Sequence, residues 1–434
     1  MKSDLHKVLH PIAGRPMLLH LLDQVDALGP AHKVVVVGSG RDQLEAALGE
    51  SACAIATQEP QLGTGHAVQQ AETALAGFDG DVLILYGDVP LVPTQTMRAM
   101  LDRLNAADRP AVVVLGFEPA DPLQYGRVIA SSDGQIAKMV EHKDASDDER
   151  KVTLCNSGLM AARAQDLFAL LGRVGNENAA REFYLVDIVN IAIADGRPCA
   201  VITTDPYDVA GVNSRAELAE MERQWQSRRR QTAMNEGATL VAPETVWFAF
   251  DTQVGRDVVI EPNVVFGPGV SIADNVTIHG FSHITGATIA SGAEVGPFAR
   301  LRPGAVLEEK AKVGNFVEMK KARLGKGAKA SHLTYLGDAD VGAGANIGAG
   351  TITCNYDGFL KYRTEIGAGA FVGSNSALVA PVSIGEGAIV AAGSVVTADV
   401  HADALAIARG SQEVKPNWAR RFRDVMAAKK AERR

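Results

Sequence analysis

Three short stretches of the sequence hold residue types that could do chemistry. LYGDVPL at 85–91 places Asp88 directly after an apolar run, and a carboxylate at the carboxyl end of a buried strand suits Mg²⁺. QLGTGHA at 61–67 is a glycine-rich turn before a helical pattern, a place where backbone N–H groups can meet an anion. His332, in SHLTYLGDA, carries an imidazole, a side chain suited to accept a proton near neutral pH.

Each of these stretches also has an ordinary structural interpretation. An Asp that follows Gly at a strand end is often only a cap or turn residue. A glycine-rich turn is a weak signal by itself, and a single histidine at a corner of the backbone is more often structural than catalytic. The choice between the two interpretations therefore depends on the elements that position these residues.

Up to about residue 213, short apolar runs alternate with helical patterns. The runs predict strands buried on both faces, and the alternation is typical of βαβ units in a mainly parallel, doubly wound α/β sheet. Two less regular segments, 128–141 and 155–162, are expected to form a smaller subdomain that covers the site. The predicted strands are 33–38, 52–57, 81–88 and 111–118, and the helical patterns are 65–77 and 94–107.

A charged helical pattern occupies residues 214–236 and ends at Gly237. Ser214 stands where an N-cap is expected, and Glu217, three residues later, completes a capping box. We interpret this segment as a helix that connects two domains. The alternative, a solvated helix of the first domain, differs little in its consequences.

Beyond this helix the apolar residues recur every six positions, in runs from Val254 to Ile284, Val295 to Met319 and Ile366 to Val396. A helix repeats at 3.6 residues and a strand at 2, so a repeat of six needs a turn in every repeat. A short strand and a corner per repeat build a triangular parallel β-helix of about eight coils. The 19 residues from Ile347 to Ile366 are one more than three repeats, which predicts a loop at 354–363.

The composition narrows the class of protein. A chain of 434 residues is long enough for two or three domains, and a net charge of −8 argues against broad nucleic-acid binding. The four cysteines form no C-x-x-C pair, so we expect neither zinc nor a disulfide framework, and a reducing cytoplasm fits best. No apolar run reaches about 18 residues and no secretory h-region is present, so membrane insertion is not expected.

Four strings in the second half of the chain carry a close resemblance to a known family. They resemble the acetyltransferase domain of the bifunctional N-acetylglucosamine-1-phosphate uridyltransferase / glucosamine-1-phosphate N-acetyltransferases, and the similarity extends through essentially the whole chain. The strings are RLRPGA (300–305), GNFVEMKKA (314–322), SHLTYLGDA (331–339) and NIGAGTITCNYDG (346–358).

The resemblance implies an architecture. Residues 1–213 would form a Rossmann-like uridyltransferase domain, 214–236 a linker helix, 237–400 a left-handed hexapeptide-repeat β-helix, and 401–434 a C-terminal arm. The family's acetyltransferase sites lie between subunits of a trimer, so a homotrimer is expected. The eight Lys and Arg residues from Lys415 onward would also fit a disordered or nucleic-acid-binding tail, but we prefer the family's arm, which packs near the neighbouring subunit's site.

The resemblance also implies roles in acetyl transfer from acetyl-CoA to the amine of glucosamine-1-phosphate. The amine must lose a proton, because only the free base has a lone pair, and His332 matches the family's proton acceptor. Each set of residues also has a structural interpretation: the basic residues could form a solvated face, and the small residues could be ordinary corner residues of a β-helix. Matches to sugar-phosphate contacts are Arg302, Lys320, Tyr335 and Asn346, and matches to acetyl-CoA contacts are Ala349, Asn355, Tyr356, Ser374, Ala392 and Arg409.

For the second reaction the resemblance implies attack by a sugar-1-phosphate oxygen on the α-phosphorus of UTP, with release of pyrophosphate. Asp88 and Asn213 match the ligands of Mg²⁺. Because the nucleophile is already an anion, positioning and cations carry the catalysis. The other matches around UTP and the UDP-sugar are Lys7, Gln58, Gly63, Thr64, Tyr86, Gly87, Gly126, Glu141 and Asn156.

The start of the chain departs from the family pattern. The family begins with a strand that runs into L-A-A-G-x-G-T-R-M, of which Met1 matches only the last residue, and His6 replaces a usual Pro. We therefore expect competent acetyl transfer and weak uridylyl transfer from this chain as written. A second hypothesis is that the start of the chain has been assigned too late and that the native protein is longer.

Two functions of other classes remain open at the level of sequence. The protein could be a sugar-1-phosphate nucleotidyltransferase whose β-helix is purely structural, or a non-enzymatic assembly subunit. His332 and its surrounding strings argue against both, because a scaffold has no need of them.

Overall fold

The computed structural model describes residues 1–49 and 53–433. They divide into two compact units, Met1–Gln226 and Ser227–Arg434. The predicted strand at 52–57 begins outside the described residues, and its described part is the strand Ala54–Thr57.

The first unit is an α/β structure. Short 3₁₀ turns lie at Lys7–Leu9, Thr73–Leu75 and Pro206–Val209. Its strands are β1 (Pro11–Ile12), β2 (Arg15–Pro16), β3 (Val34–Val37), β4 (Ala54–Thr57), β5 (Asp81–Ile84), β6 (Val112–Phe117), β7 (Arg127–Ala130), β8 (Ile136–Val140), β9 (Cys155–Arg163) and β10 (Cys199–Thr204). Its helices are α1 (Met17–Asp26), α2 (Arg41–Leu48), α3 (Thr64–Gln69), α4 (Thr94–Leu104), α5 (Asp147–Arg150), α6 (Ala164–Leu171) and α7 (Asp187–Ala194).

The main sheet is mixed, so the prediction of a mainly parallel sheet is wrong. Strand β6 pairs in parallel with β10, but β9 is antiparallel to β5, β6 and β7. The segment 155–162 is thus a central strand, not part of a covering subdomain, while 128–141 forms the hairpin of β7 and β8. The strand could not be recognised in the sequence, because Asn156, Ser157 and Gly158 interrupt its apolar run.

A cavity separates the two parts of this α/β unit. In the described residues β3 pairs only with β4, and β5 pairs only with β9. Between β3 and β5 lies a cavity of about 610 Å³. Val34 to Val36 line it and are only half-buried, so burial on both faces holds for β6 but not for β3. Its other apolar lining includes Leu18, Leu22, Val25, Val68, Ala71, Leu75, Leu83 and Leu85.

The charged segment after residue 213 forms α8 (Arg215–Asn235). The predicted capping box is present, because the Glu217 N–H donates to Ser214 Oγ at 3.1 Å and the Ser214 N–H donates to a Glu217 carboxylate oxygen at 3.1 Å. This box fixes where the helix begins.

The second unit is a parallel β-helix, as the six-residue period predicts, with a 3₁₀ turn at Pro243–Thr245 and a final helix α9 (Trp418–Glu432). Its strands are β11 (Thr239–Leu240), β12 (Gln253–Val254), β13 (Val259–Ile260), β14 (Val265–Phe266), β15 (Ser271–Ile272), β16 (Thr277–Ile278), β17 (His283–Ile284), β18 (Ala287–Ile289), β19 (Glu294–Val295), β20 (Arg300–Leu301), β21 (Ala305–Leu307), β22 (Lys312–Asn315), β23 (Glu318–Lys320), β24 (Arg323–Leu324), β25 (Lys329–His332), β26 (Tyr335–Gly337), β27 (Ala339–Val341), β28 (Asn346–Ile347), β29 (Ile352–Cys354), β30 (Thr364–Ile366), β31 (Phe371–Val372), β32 (Ala377–Val379), β33 (Val382–Ile384), β34 (Ile389–Val390), β35 (Val395–Val396) and β36 (Leu405–Ala406).

These strands form three sheets, one for each side of the coil. In one sheet β25 pairs with β22 below it and with β28 above it. In another sheet β26 pairs with β23 and β29 in the same way. Apolar residues one coil apart stack inside, as Leu301 on Met319 and Val372 on Val390. The stacked residues fill the interior, and the outer faces and corners stay available for a site.

The loop interrupts the coil as expected, but the predicted size of the insertion is wrong. Ile347 pairs with Val372, so this coil is 25 residues long, whereas the next coil, from Val372 to Val390, is 18. Ile366 pairs with Val341 in a different sheet, so its distance from Ile347 does not measure one coil. The extra residues lie between β29 and β30.

Among the described residues, no helix combines the length and the apolar character that crossing a membrane would need.

Candidate active sites

In the first unit, three predicted residues meet at one point. The Lys7 ammonium donates to Asp88 Oδ2 at 2.5 Å and to Asn213 Oδ1 at 2.9 Å. The backbone holds the two oxygen donors together, because the Val212 N–H donates to the Asp88 carbonyl at 3.0 Å. The Asn213 N–H is in turn fixed by a Glu217 carboxylate oxygen at 2.6 Å.

The donor set at this point fits a divalent cation. The oxygens of Asp88 and Asn213 converge on a single cation, the Lys7 ammonium, which stands in for a metal ion here. Mg²⁺ prefers hard oxygen ligands and takes one or two from the protein while substrate phosphates and water supply the rest. The residues present therefore fit Mg²⁺ bound together with a polyphosphate.

Tyr86 joins this point to the glycine-rich turn. Its hydroxyl hydrogen-bonds to Thr64, and desolvation, followed by the negative charges of Glu141 and Asp88, raises its pKa to about 12. The phenol therefore stays protonated and can donate a hydrogen bond to a ligand. Gly158, with φ at +85°, lies against the ring, since a Cβ there would be 2.1 Å from a ring carbon of Tyr86.

Glu141, Gly126 and Asn156 form the far side of this site. Burial, and then the charges of Asp144 and Asp187, raise the pKa of the Glu141 carboxyl. Gly126 leaves room for this carboxylate, because a Cβ would lie 3.3 Å from both of its oxygens. The Asn156 N–H donates to the Gly126 carbonyl at 2.9 Å, so the hairpin and β9 hold the carboxylate in place.

The glycine-rich turn is built closely against another loop. Gln58 donates to the Gly63 carbonyl at 2.9 Å, and a Cβ on Gly63, whose φ is +119°, would lie 2.6 Å from the Phe183 carbonyl oxygen. The Gly65 N–H donates to that same oxygen at 2.8 Å. Because this N–H is used inside the protein, anion binding by the turn stays a prediction.

Gly87 lies in the chain between Tyr86, which contacts the glycine-rich turn, and Asp88, which belongs to the proposed metal site. A Cβ there would be 3.4 Å from a methyl of Val8 and 3.5 Å from one of Leu18. The close packing fixes the backbone that presents Asp88 beside the turn of Lys7. The predicted residues of the first unit thus surround one region, with Tyr86 between the cation point and the carboxylate of Glu141.

In the second unit, His332 ends β25 at a corner of the coil and its side chain is exposed. Its Nδ1 lies 2.6 Å from Oδ1 of Asn315, which occupies the same position one coil below. An amide oxygen can only accept, so in the neutral imidazole the proton is on Nδ1 and the lone pair is on Nε2. This is the tautomer that a general base needs.

The corner above His332 presents a column of small residues. Ala349, Ser374 and Ala392 follow His332 at successive coils, and Arg409 comes next. All four are predicted acetyl-CoA contacts; the backbone stacks Ala349, Ser374 and Ala392 above His332, whereas Arg409 joins the column through its side chain. The hydrogen bonds that define the column are Gly350 N–H to His332 O at 3.2 Å, Asn375 N–H to Ala349 O at 2.8 Å, Gly393 N–H to Ser374 O at 2.8 Å and Arg409 Nη1–H to Ala392 O at 2.6 Å.

A concentration of positive charge lies at the other end of β23 and β26. Lys361 in the loop, and then Arg302 and Lys321, lower the pKa of the Lys320 ammonium. Glu318 balances part of this charge through an ion pair with Arg302 at 2.8 Å. Closely spaced cations of this kind repel one another until an anion arrives, which favours a phosphate here.

The side chains of Tyr335 and Asn355 meet at Gly337, at the end of β26 that lies away from His332. A Cβ on Gly337 would be 2.4 Å from the Tyr335 hydroxyl and 2.8 Å from Asn355 Nδ2. Asn355 is buried and donates to Asp338 at 2.5 Å. The strand that separates the two ends, β26, has three residues, or about 10 Å.

Two of the predicted substrate contacts, Asn346 and Tyr356, have fewer interactions with the other residues of this site. Asn346 pairs with Lys329 in the sheet of His332, one coil above. Tyr356 is 59% exposed and hydrogen-bonds to the Gly358 carbonyl of its own loop. Their roles stay predictions.

Sequence reasoning missed Asn315, Lys361 and Gly158. Asn315 lies 17 positions before His332, so the length of one coil could have found it. Lys361 stands in the predicted loop, and the approach of that loop to Lys320 is not visible in the sequence. Gly158 stood in a segment that was placed outside the main sheet.

Comparisons with known proteins agree with this division into two units. The model of a MobA-like NTP transferase domain matches residues 1–152, and that of the bacterial transferase hexapeptide (six repeats) matches 251–286 and 363–398. A protein of Sphingopyxis alaskensis named "Bifunctional protein GlmU" is 75% identical over 99% of this chain and 95% of its own length. Proteins with the same name from Novosphingobium aromaticivorans and Rhizorhabdus wittichii are 70% and 68% identical over 100% of this chain and 96% of their own lengths.

Proposed function

The chain belongs to the family of the bifunctional GlmU proteins, and on that premise we propose that it makes UDP-N-acetylglucosamine in two steps. The second unit transfers an acetyl group from acetyl-CoA to the amine of glucosamine-1-phosphate. The first unit then transfers a uridylyl group from UTP to N-acetylglucosamine-1-phosphate and releases pyrophosphate. The observation that carries the proposal is the column in which His332, oriented by Asn315, is followed by small corner residues and Arg409.

The acetyl-transfer step follows from the tautomer of His332. The Nε2 lone pair accepts a proton from the substrate ammonium, and the free amine attacks the thioester carbonyl. The amine nitrogen then loses its second proton, the carbon–sulfur bond breaks, the amide forms, and CoA leaves as the thiol that carries this proton. Asn315 keeps the other imidazole nitrogen protonated throughout, so Nε2 returns to its starting state once His332 loses the proton.

His332 and the cations at the far end of β26 offer a base and a phosphate site for one amino sugar phosphate, whose amine and phosphate are on adjacent ring carbons. His332 precedes this strand, and Lys320, which has Lys361 beside it, pairs with Gly337, the last residue of the strand. A phosphate bound by these cations would hold the sugar so that its amine points to the histidine. The small residues of the column leave space for a thin chain such as pantetheine, and Arg409 offers a cation to the phosphates of CoA.

In the first unit, Asp88 and Asn213 would hold Mg²⁺. When bound, this ion neutralises charge on the triphosphate oxygens. Lys7, displaced from between these two oxygens, supplies a further positive charge to the triphosphate, and protonated Tyr86 can donate a hydrogen bond. Glu141 can accept hydrogen bonds from sugar hydroxyls. The nucleophile is a phosphate oxygen and is already an anion, so positioning and charge carry this step.

We also propose that the protein is a homotrimer and that its partner subunits cover the corner below His332. Phe281, Phe298 and Phe316 stack at this corner with ring centroids 5.0 and 5.1 Å apart. Their exposed fractions are 58%, 45% and 53%, and Leu333, next in the line, is 63% exposed. A continuous apolar ridge is unusual on a free surface and supports an interface between copies.

The described cysteines are all unpaired thiols, which supports a reducing compartment, and we propose the cytoplasm.

The test of the acetyl-transfer proposal compares two histidines of the β-helix. We expect His332→Ala to lower kcat for CoA release by about 10² to 10⁴, whereas His283→Ala, at an exposed strand position on another coil, should leave it unchanged. Equal activity of the two variants would refute the role of His332. Absence of acetyl-CoA turnover in the unsubstituted protein would favour a nucleotidyltransferase with a structural β-helix.

Uridylyl transfer by the first unit is tested separately from acetyl transfer. The rates of pyrophosphate release and CoA release, measured on the same sample of residues 1–434, test it directly.

A further inference from the structure

The ion pair at the proposed metal point places a lysine where a metal ion would bind. The Lys7 ammonium lies 2.5 Å from Asp88 Oδ2 and 2.9 Å from Asn213 Oδ1. Both of these oxygens are the donors that the proposed function assigns to Mg²⁺. An ammonium and a divalent ion cannot occupy the space between the same two oxygens at once.

We propose that Lys7 is the resident counter-cation of the Asp88–Asn213 pair, and that a divalent metal ion enters only by displacing its ammonium. The inference rests on the proposed function, which makes these oxygens metal ligands. The proposal describes Lys7 before substrate binds. The role that the family resemblance implies for Lys7, contact with a phosphate, applies only after substrate has bound.

The surroundings of Lys7 support such an exchange. The side chains of Lys7 and Asp88 are 37% and 25% exposed, so the pair is shielded enough for its charges to matter and open enough for an ion to enter. The backbone of Lys7 is fixed in a 3₁₀ turn whose Leu9 is buried, and the neighbouring Val8 packs beside Gly87. The four-carbon side chain can therefore move its ammonium while the main chain stays in place.

Displacement has a consequence for the order of binding. A metal ion that enters alone leaves the displaced ammonium beside a new positive charge, which is unfavourable. A polyphosphate that enters with the metal gives this ammonium an anionic partner. Metal and polyphosphate should therefore bind cooperatively, each strengthening the binding of the other by the same factor.

The experiment titrates the full chain with Mn²⁺ alone, without nucleotide, and follows free Mn²⁺ by its electron paramagnetic resonance signal. Lys7→Met should bind Mn²⁺ at least about tenfold more tightly than the unsubstituted protein, because the competing cation is gone. Lys7→Arg keeps a cation at the point and should bind as weakly as the unsubstituted protein. Lys138→Met removes a lysine from an exposed ion pair with Glu149 of 2.6 Å and controls for net charge.

Asp88→Asn separates failure of the inference from failure of the metal site. If Asp88→Asn weakens Mn²⁺ binding in the Lys7→Met background but Lys7→Met binds no more tightly than Lys138→Met, the metal site stands and the resident-cation proposal is overturned. If Asp88→Asn leaves Mn²⁺ binding unchanged in that background, the metal is bound elsewhere and the proposed site itself is wrong. Lys7→Gln, also neutral, replaces Lys7→Met if circular dichroism shows that the latter is unfolded, and it should likewise bind Mn²⁺ more tightly.

Discussion

Asn315 Oδ1 lies 2.6 Å from His332 Nδ1, and the two residues occupy equivalent positions in adjacent coils of the β-helix. The regular stacking of the coils thus places an acceptor behind the imidazole with no special loop. The hydrogen bond sets which nitrogen of His332 faces the substrate as a base. Orientation of a catalytic side chain here follows directly from the repeat.

We expect Asn315→Leu to lower kcat for acetyl transfer by roughly tenfold to hundredfold and to leave KM for acetyl-CoA nearly unchanged. Leucine has a similar size but no acceptor, so His332 loses its fixed tautomer while the column above it stays in place. Steady-state kinetics of CoA release check this split. A rise in KM with an unchanged kcat would show that Asn315 acts through binding instead.

The β-helix could be predicted from sequence nearly completely because one residue in six must point inward at every strand. Ala349, Ser374 and Ala392 were predicted from the family resemblance instead, and the regular coils explain why they lie in one column. The mixed sheet of the first unit was not found, because β9 contains Asn156, Ser157 and Gly158 where an apolar strand is expected. These residues interrupt the pattern where the strand borders the site, with Gly158 against Tyr86 and Asn156 bonded to Gly126.

The cluster of cations was only half predictable. Arg302 and Lys320 came from the resemblance, but Lys361 belongs to a loop whose fold over the coil depends on tertiary packing. Its effect on Lys320 is visible only in the structure, as a lowered pKa. Distances across coils, not local sequence, decide which charges meet.

Lys361→Met should weaken binding of glucosamine-1-phosphate and shift its pH dependence. Lys361 is the main cause that lowers the pKa of Lys320, so Lys320 loses its proton at a lower pH than an ordinary lysine. The alkaline limb of the kcat/KM profile for the sugar phosphate should therefore move to higher pH in Lys361→Met. KM should rise about tenfold at neutral pH, because one phosphate partner is lost.

Lys326→Met is the matched control for this profile, since Lys326 forms an exposed ion pair with Glu309 at 2.5 Å in the same β-helix. It removes the same charge and should leave both KM and the alkaline limb in place. An alkaline limb that stays fixed in Lys361→Met would contradict the coupling between the two lysines.

Gly158→Ala should impair uridylyl transfer and leave acetyl transfer unaffected. The added Cβ would lie 2.1 Å from a ring carbon of Tyr86, so the ring must move away from Thr64 and from the site. Gly77→Ala is the matched control, because Gly77 has φ of +81° but nothing within 4 Å of a Cβ. Both variants should cost about 1 kcal/mol of stability through the backbone, but only Gly158→Ala should slow pyrophosphate release. Equal rates in the two variants would show that the position of Tyr86 is unimportant.

The cavity between β3 and β5 predicts that a larger apolar side chain can stabilise the first unit. Ala71 is 8% exposed and lines this cavity of about 610 Å³. Ala71→Leu should add about 1 kcal/mol to the free energy of unfolding, because its new methyl groups enter empty apolar space without displacing packed atoms. Ala74→Leu, at an exposed position three residues later, adds the same groups to the surface and should change stability little. Differential scanning calorimetry of the two variants measures the difference, and a lower melting temperature for Ala71→Leu than for Ala74→Leu would mean that the space beside β3 and β5 is not open to a side chain from this segment.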